Sequence, residues 1–115
     1  MKIGFIGLGN MASAMIAGML DKGIAKPEDV IGSDKFEGAR NTAADRFGIR
    51  VTEDNKAVTT ECDVLILAVK PQMLSEVTAE IPDSIKEGTL VISIIAGRTL
   101  AQLEEAFGKP VKIVR

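Results

Sequence analysis

The stretch DVLILAV, Asp63–Val69, is apolar without interruption from Val64 onward. A strand with one wet face alternates polar and apolar residues. A strand that does not alternate is buried on both faces, as in a parallel sheet covered by helices on either side. TLVISII, Thr89–Ile95, reads the same way, and Lys2–Ile6 is a shorter version. Helical patterns fall between these runs. The expected fold class is therefore α/β, a doubly wound, mainly parallel sheet with helices on both faces.

The remaining segments fit this frame. Asn10–Leu20 reads as a helix with Met11, Ala14, Met15, Gly18 and Met19 along one stripe, most simply as core packing. Asp29–Ser33 is expected as the second strand. Glu37–Phe47 follows as a helix, with Ala39, Ala43 and Phe47 inward and Gly48 as its stop. Ile49–Val51 is a short strand, and Asn55–Thr60 supplies one or two helical turns. Pro71 suits the first turn of a helix running to about Glu80, with Met73, Leu74, Val77 and Ile81 as its apolar face. Thr99 and Gln102 make a capping box for a last helix that stops at Gly108, and Val111–Val114 is a final strand.

At 115 residues the chain is long enough for one domain with its own core. A net charge of −2 offers no basis for holding nucleic acid or an anionic membrane. The chain contains no histidine and no tyrosine, which excludes histidine acid–base chemistry and Ser-Tyr-Lys reductase chemistry within it. No pair of His or Cys residues has metal-ligand spacing, so no metal site is expected. The single cysteine, Cys62, reads as a thiol at the edge of the core and fits a reducing, cytoplasmic setting. No apolar run approaches the roughly 18 residues of a membrane span. Asp21 and Lys22 stand where a signal peptide would need a cleavage site.

Chemistry enters at IGLGNMA, Ile6–Ala12. Gly7, Gly9 and Ala12 fit G-x-G-x-x-[G/A] between a strand and a helix, the dinucleotide-binding fingerprint of Rossmann-type folds. Gly7 turns the chain, Gly9 admits a pyrophosphate to the backbone, and small Ala12 lets helix and strand pack closely. The bland alternative is a glycine turn that only closes the connection. The fingerprint also expects an acidic residue about 20 positions on, to bind a ribose. Asp34 fills that place, flanked by Ser33 and Lys35. The carboxylate favours the free 2′-hydroxyl of NAD, while the cation and small hydroxyl favour the 2′-phosphate of NADP. The same three residues also suit a plain polar turn.

Several segments together resemble pyrroline-5-carboxylate reductases: IGFIGLGNMASAMIAGML with Asn10-Met11 after the second glycine, FGIRVTEDNKAV, DVLILAVKPQ, LVISIIAG and KIVR. The resemblance runs over the whole chain. It implies an enzyme that reduces the C=N bond of 1-pyrroline-5-carboxylate with hydride from NAD(P)H, giving L-proline. It also implies NADP as cofactor, with NAD as the alternative, and a cofactor-binding role for seventeen residues. Ile6, Gly7, Leu8, Gly9, Asn10 and Met11 would hold the pyrophosphate. Ser33, Asp34 and Lys35 would face the adenosine ribose, with Asn55 on the adenosine side. Ala68, Val69, Lys70 and Pro71 would border the nicotinamide ribose, and Ile94, Ile95 and Ala96 would lie near the nicotinamide. No catalytic residue is assigned. Lys70 reads either as a cation that holds a substrate carboxylate or as a solvated residue whose backbone shapes the ribose pocket.

The resemblance further implies a second, all-helical domain that supplies most of the substrate pocket and the homo-oligomer contacts. Residues 1–115 are then the cofactor domain, expected to bind dinucleotide with negligible reductase activity alone, since one wall cannot hold a substrate at reacting distance. β-Hydroxyacid dehydrogenases and F420-dependent NADP reductases share the fingerprint but fit GNM and AVKPQ less well. A non-catalytic NAD(P)-sensing module is the remaining alternative.

Overall fold

The computed structural model describes residues 1–81, 84–95, 100–107 and 112–114. Among the described residues six strands form one sheet: β1 (Ile3–Ile6), β2 (Val30–Ser33), β3 (Arg50–Thr52), β4 (Val64–Leu67), β5 (Leu90–Ser93) and β6 (Lys112–Val114). Their order is β3-β2-β1-β4-β5-β6, and every neighbouring pair is parallel. The α-helices described between them are α1 (Asn10–Asp21), α2 (Glu37–Phe47), α3 (Asn55–Glu61), α4 (Leu74–Glu80) and α5 (Leu100–Phe107).

The strand residues sort by parity onto two cores. Ile3, Phe5, Val30 and Ile66 pack with Ala12, Ile16 and Ala43 of α1 and α2. Ile6, Ile31, Leu65, Leu67 and Val91 pack on the other face with Val58, Val77, Leu103 and Phe107 of α3, α4 and α5. Both faces are dry, which is why the central strands carry no polar alternation. The expected doubly wound α/β architecture is the one observed, and its parallel character is complete among the described strands.

Differences from the sequence expectations are local and have causes. The second strand starts at Val30, because Pro27–Asp29 closes into a 3-10 turn in which the Asp29 carboxylate accepts from the Lys26 amide at 3.2 Å. The third strand is Arg50–Thr52, one residue later than expected, since Gly48 ends α2 at φ 70° and Ile49 dives into the core. Pro71 opens a 3-10 turn, Pro71–Met73, and the α-helix itself starts at Leu74. Thr99, Gly108 and Val111, which carried the expected cap, stop and strand start at the carboxyl end, lie outside the described residues.

One packing expectation fails. Met11 is 63 % exposed, and Ala14 and Gly18 are exposed as well. The face of α1 that meets the sheet is Ala12 and Ile16, with Met15, Met19 and Leu20 packed partly against the same core. Nearly every position of α1 is apolar or small, so several stripes were available. Close approach to the sheet selected the one headed by Ala12.

Gly4 gains a reason. A Cβ on it would lie 2.6 Å from Cγ1 of Val58 and 2.9 Å from Cβ of Cys62, so its absence lets α3 press onto β1. Cys62 is thus fully buried rather than at the core edge.

Candidate functional site

The carboxyl ends of β1, β2, β4 and β5 lie side by side. This is the edge where open α/β sheets bind their ligands, and β1 and β4 flank the point where the strand order reverses. Ile6 pairs with Ser33 on one side and Leu67 on the other, and Leu67 pairs with Ser93. Sequence-predicted residues from five segments therefore share one edge: Ile6–Met11, Ser33–Lys35, Ala68–Pro71, and Ile94 with Ile95 follow their strands directly, and Asn55 joins through a hydrogen bond. Ala96 lies outside the described residues.

Gly7 and Gly9 differ in why they are glycines. Gly7 has φ 100°, a conformation side chains disfavour, and its Cβ would stand 2.7 Å from the Ala68 carbonyl oxygen. Its amide donates to the Ser33 carbonyl at 2.8 Å, while the Ala68 amide donates to that of Ile6 at 2.8 Å. The turn is thus locked between β2 and β4. Gly9 has φ −78°, which any residue adopts, and a Cβ there would meet nothing within 4 Å. Neither backbone strain nor internal packing requires glycine at this position. What a bare Gly9 leaves is room beside the first turn of α1.

That first turn is open. Gly9 is the N-cap of α1 and provides no side-chain cap, and the turn holds no acidic residue. The Ser13 amide reaches the Gly9 carbonyl at 2.9 Å, closing the first helical turn. The amides ahead of it are the usual unpaired donors of a helix start, at the positive end of a 12-residue dipole. Asn10 and Met11 are exposed on this turn. A pyrophosphate fits this donor set, and Gly9 is the position where a side chain would stand in its way. A groove of about 430 Å³ continues from Leu8, Gly9 and Asn10 between α1 and α2.

The turn after β2 is built differently. Asp34 is half-buried, and its carboxylate accepts from the Leu8 amide at 2.9 Å and from the Phe36 amide at 3.0 Å. Its own amide donates to the Thr52 carbonyl at 3.1 Å. Arg40 donates from Nη1 to the carbonyls of Asp34, at 2.9 Å, and Lys35, at 3.2 Å, so a guanidinium lies along the turn. Lys35 is exposed and forms an ion pair with Glu76 of α4. Ser33 is fully buried and donates to Asn55 Oδ1 at 2.6 Å, and Asn55 Nδ2 donates to Glu80 at 2.9 Å. Glu76 and Glu80, one helical turn apart, thus reach from α4 toward the end of β2.

Sequence reasoning missed Arg40, Glu76 and Glu80. Only Arg40 carried a signal, as a cation spaced to look back from the first turn of the helix after β2. The glutamates sit more than 40 residues from Asp34 and depend on the sheet order.

Beyond β4, Ala68 and Val69 are half-buried and Lys70 is exposed, with no hydrogen bond or ion pair to its side chain among the described residues. The Lys70 carbonyl accepts from the Met73 amide at 2.9 Å, which fixes the backbone ahead of Pro71. Ile94 donates to the Leu67 carbonyl at 3.0 Å, and the Ile95 amide to Ser93 Oγ at 3.2 Å, giving an apolar wall with no titratable group.

The shifted ionisable groups lie elsewhere. Hydrogen bonds from the Lys2 amide and Lys86 hold Asp63 below its usual range at the opposite edge of the sheet. Burial pushes the Cys62 thiol up to about 11, so it is neither a thiolate nor a nucleophile at neutral pH. Among the described residues no group of His, Cys, Asp and Glu can hold a metal. No described helix is long and apolar enough to cross a membrane.

Known proteins resemble this chain in sequence and fold. The pyrroline-5-carboxylate reductase of Methanosarcina acetivorans is 44 % identical over 114 residues, covering 99 % of this chain and 42 % of that protein. A pyrroline-5-carboxylate reductase structure from Coxiella burnetii superposes with a TM-score of 0.90 at 32 % identity, over 97 % of this chain and 42 % of that one. The Plasmodium falciparum pyrroline carboxylate reductase, solved with NADP bound, superposes at 0.83 and 31 % identity, over 97 % and 40 %. The chain thus spans about two-fifths of the length of the relatives it matches. Residues 2–97 match the family described as NADP oxidoreductase, coenzyme F420-dependent, and the chain belongs to that family.

Proposed function

We propose that residues 1–115 form the NADP(H)-binding part of a pyrroline-5-carboxylate reductase, which reduces 1-pyrroline-5-carboxylate to L-proline. The observation that carries this reading is Gly9. It is a glycine that neither the backbone nor the core needs, placed at an uncapped helix start. The 44 % identity to a named reductase over nearly the whole chain supports the choice of reaction.

The bound nicotinamide would supply the hydride. The roles of this chain's residues follow from their places on the sheet edge. Gly9, Asn10 and Met11 offer backbone N–H groups to the pyrophosphate, while the Gly7 and Leu8 amides, already held by the Ser33 carbonyl and the Asp34 carboxylate, fix the loop that presents them. Lys35 and Arg40 bring positive charge to the adenosine end, which suits a 2′-phosphate. Ala68–Pro71 border the second ribose, and Ile94 and Ile95 present an apolar wall that keeps water from the nicotinamide. Ala96 is assigned with them from the sequence alone. Lys70 brings a cation to that side of the edge, and its backbone is the part the fold holds in place. In this reading the substrate pocket and the homo-oligomer contacts belong to a separate helical domain, the protein is cytoplasmic, and it has no nucleic-acid or membrane partner.

The test is NADPH oxidation by the complete protein with 1-pyrroline-5-carboxylate. Turnover to proline is expected, and its absence at millimolar substrate would refute the assignment. A second reading is favoured by the family description: hydride exchange between coenzyme F420 and NADP. Reduction of NADP by reduced F420, with no activity on the pyrroline, would establish it.

A further inference from the structure

Asp34 stands where the fingerprint places a ribose acceptor, yet its carboxylate already serves the protein. Oδ2 accepts from the Leu8 amide and Oδ1 from the Phe36 amide, at 2.9 and 3.0 Å. Leu8 lies in the glycine loop between Gly7 and Gly9, and its side chain is buried over Gly32. Phe36 is the N-cap of α2. One side chain therefore joins the pyrophosphate loop to the turn after β2, across 26 residues of sequence. The Leu8 amide belongs to no helix or strand, and Asp34 is its partner. Removing the carboxylate leaves that donor unpaired.

We propose that Asp34 is the strap of the glycine loop and not the residue that selects between NAD and NADP. A carboxylate retains lone pairs beyond these two bonds, so contact with a ribose is not forbidden. Its loss, however, first loosens a loop that both cofactors use. Two backbone amides on the carboxylate and the Arg40 guanidinium along the turn offset its charge, which lowers the repulsion of a 2′-phosphate, while Lys35 is shared with Glu76. This removes the conflict between Asp34 and Lys35 in the sequence. The inference rests on the dinucleotide-binding reading above and makes Asp34 a positioning residue.

Two experiments decide it. The first is titration of NADPH and NADH against the protein and its Asp34→Ala and Asp34→Asn variants, read as dissociation constants. Both cofactors should weaken about tenfold in Asp34→Ala with their ratio unchanged within twofold, and Asp34→Asn, which keeps one acceptor oxygen, should fall between. Selective loss of NADH by tenfold or more, or no change for either cofactor, overturns the proposal.

The second needs no cofactor: hydrogen exchange at the Leu8 amide, followed by NMR. The amide should be protected in the unaltered protein and exchange at least tenfold faster in Asp34→Ala, with the amides of β1 unaffected. An unprotected Leu8 amide in the unaltered protein also overturns the proposal, whether or not Asp34→Ala folds. If the unaltered protein binds neither nucleotide, the functional reading fails, and Leu8 exchange still decides the strap.

Discussion

The turns that follow β1 and β2 lie side by side on the same sheet edge and are finished in opposite ways. The turn after β1 leaves its helix start uncapped, with room beside Gly9. The turn after β2 is closed by its own side chains: Asp34 on two amides, Arg40 on two carbonyls and Lys35 on Glu76. An open turn is shaped for a ligand's charge, whereas a closed one has its polar groups committed before any ligand arrives. Affinity should therefore be set at the first turn and tuned at the second.

The largest effect is expected from closing the first turn. Gly9→Asp puts a good N-cap on α1 and a negative charge where the pyrophosphate would sit. Stability should hold or rise by up to about 1 kcal/mol in thermal melts. NADPH affinity should drop on the order of 100-fold, since like charges brought together cost several kcal/mol. Unchanged affinity would mean that the opening beside Gly9 is incidental.

Gly7→Ala, two residues away, should do the reverse. Its Cβ must accept φ 100° and a 2.7 Å approach to the Ala68 carbonyl. Destabilisation of about 2–4 kcal/mol is expected, which for a domain of this size lowers the melting temperature on the order of 10 °C. A fully stable Gly7→Ala would show that β1 and β4 are not packed as described.

At the closed turn the effects are smaller. Lys35 and Glu76 are each about half exposed, at 51 % and 50 %, so their pair is worth at most about 1 kcal/mol. Glu76→Gln frees Lys35 and should tighten NADPH about threefold at low salt, with little change for NADH. Equal effects on both cofactors would remove Lys35 from the reading of the 2′-phosphate.

The two turns were also unequally legible in the sequence. Gly7 is dictated by sterics, and sterics leave a pattern that spacing exposes. The unalternating strands likewise announced a sheet covered on both faces, and the two cores bear that out. The spacing put Asp34 just after the second strand, where it stands, but its partners depend on where the β1–α1 loop comes to rest, which no local pattern encodes. The same holds for Glu76 and Glu80, brought to the end of β2 by α4. For α1 the difficulty was an excess of signal: with almost every position apolar or small, periodicity could not select Ala12 and Ile16 over the methionine stripe.

In the proposed function a dinucleotide lies across the open turn, with its pyrophosphate against the start of α1. Amide chemical shifts followed by NMR during NADPH titration test it most directly. The largest changes should fall on Gly9, Asn10 and Met11, with smaller ones on Asp34–Phe36 and on Val69 and Lys70. Saturation that leaves Gly9–Met11 unmoved, or no binding at millimolar NADPH, would contradict it.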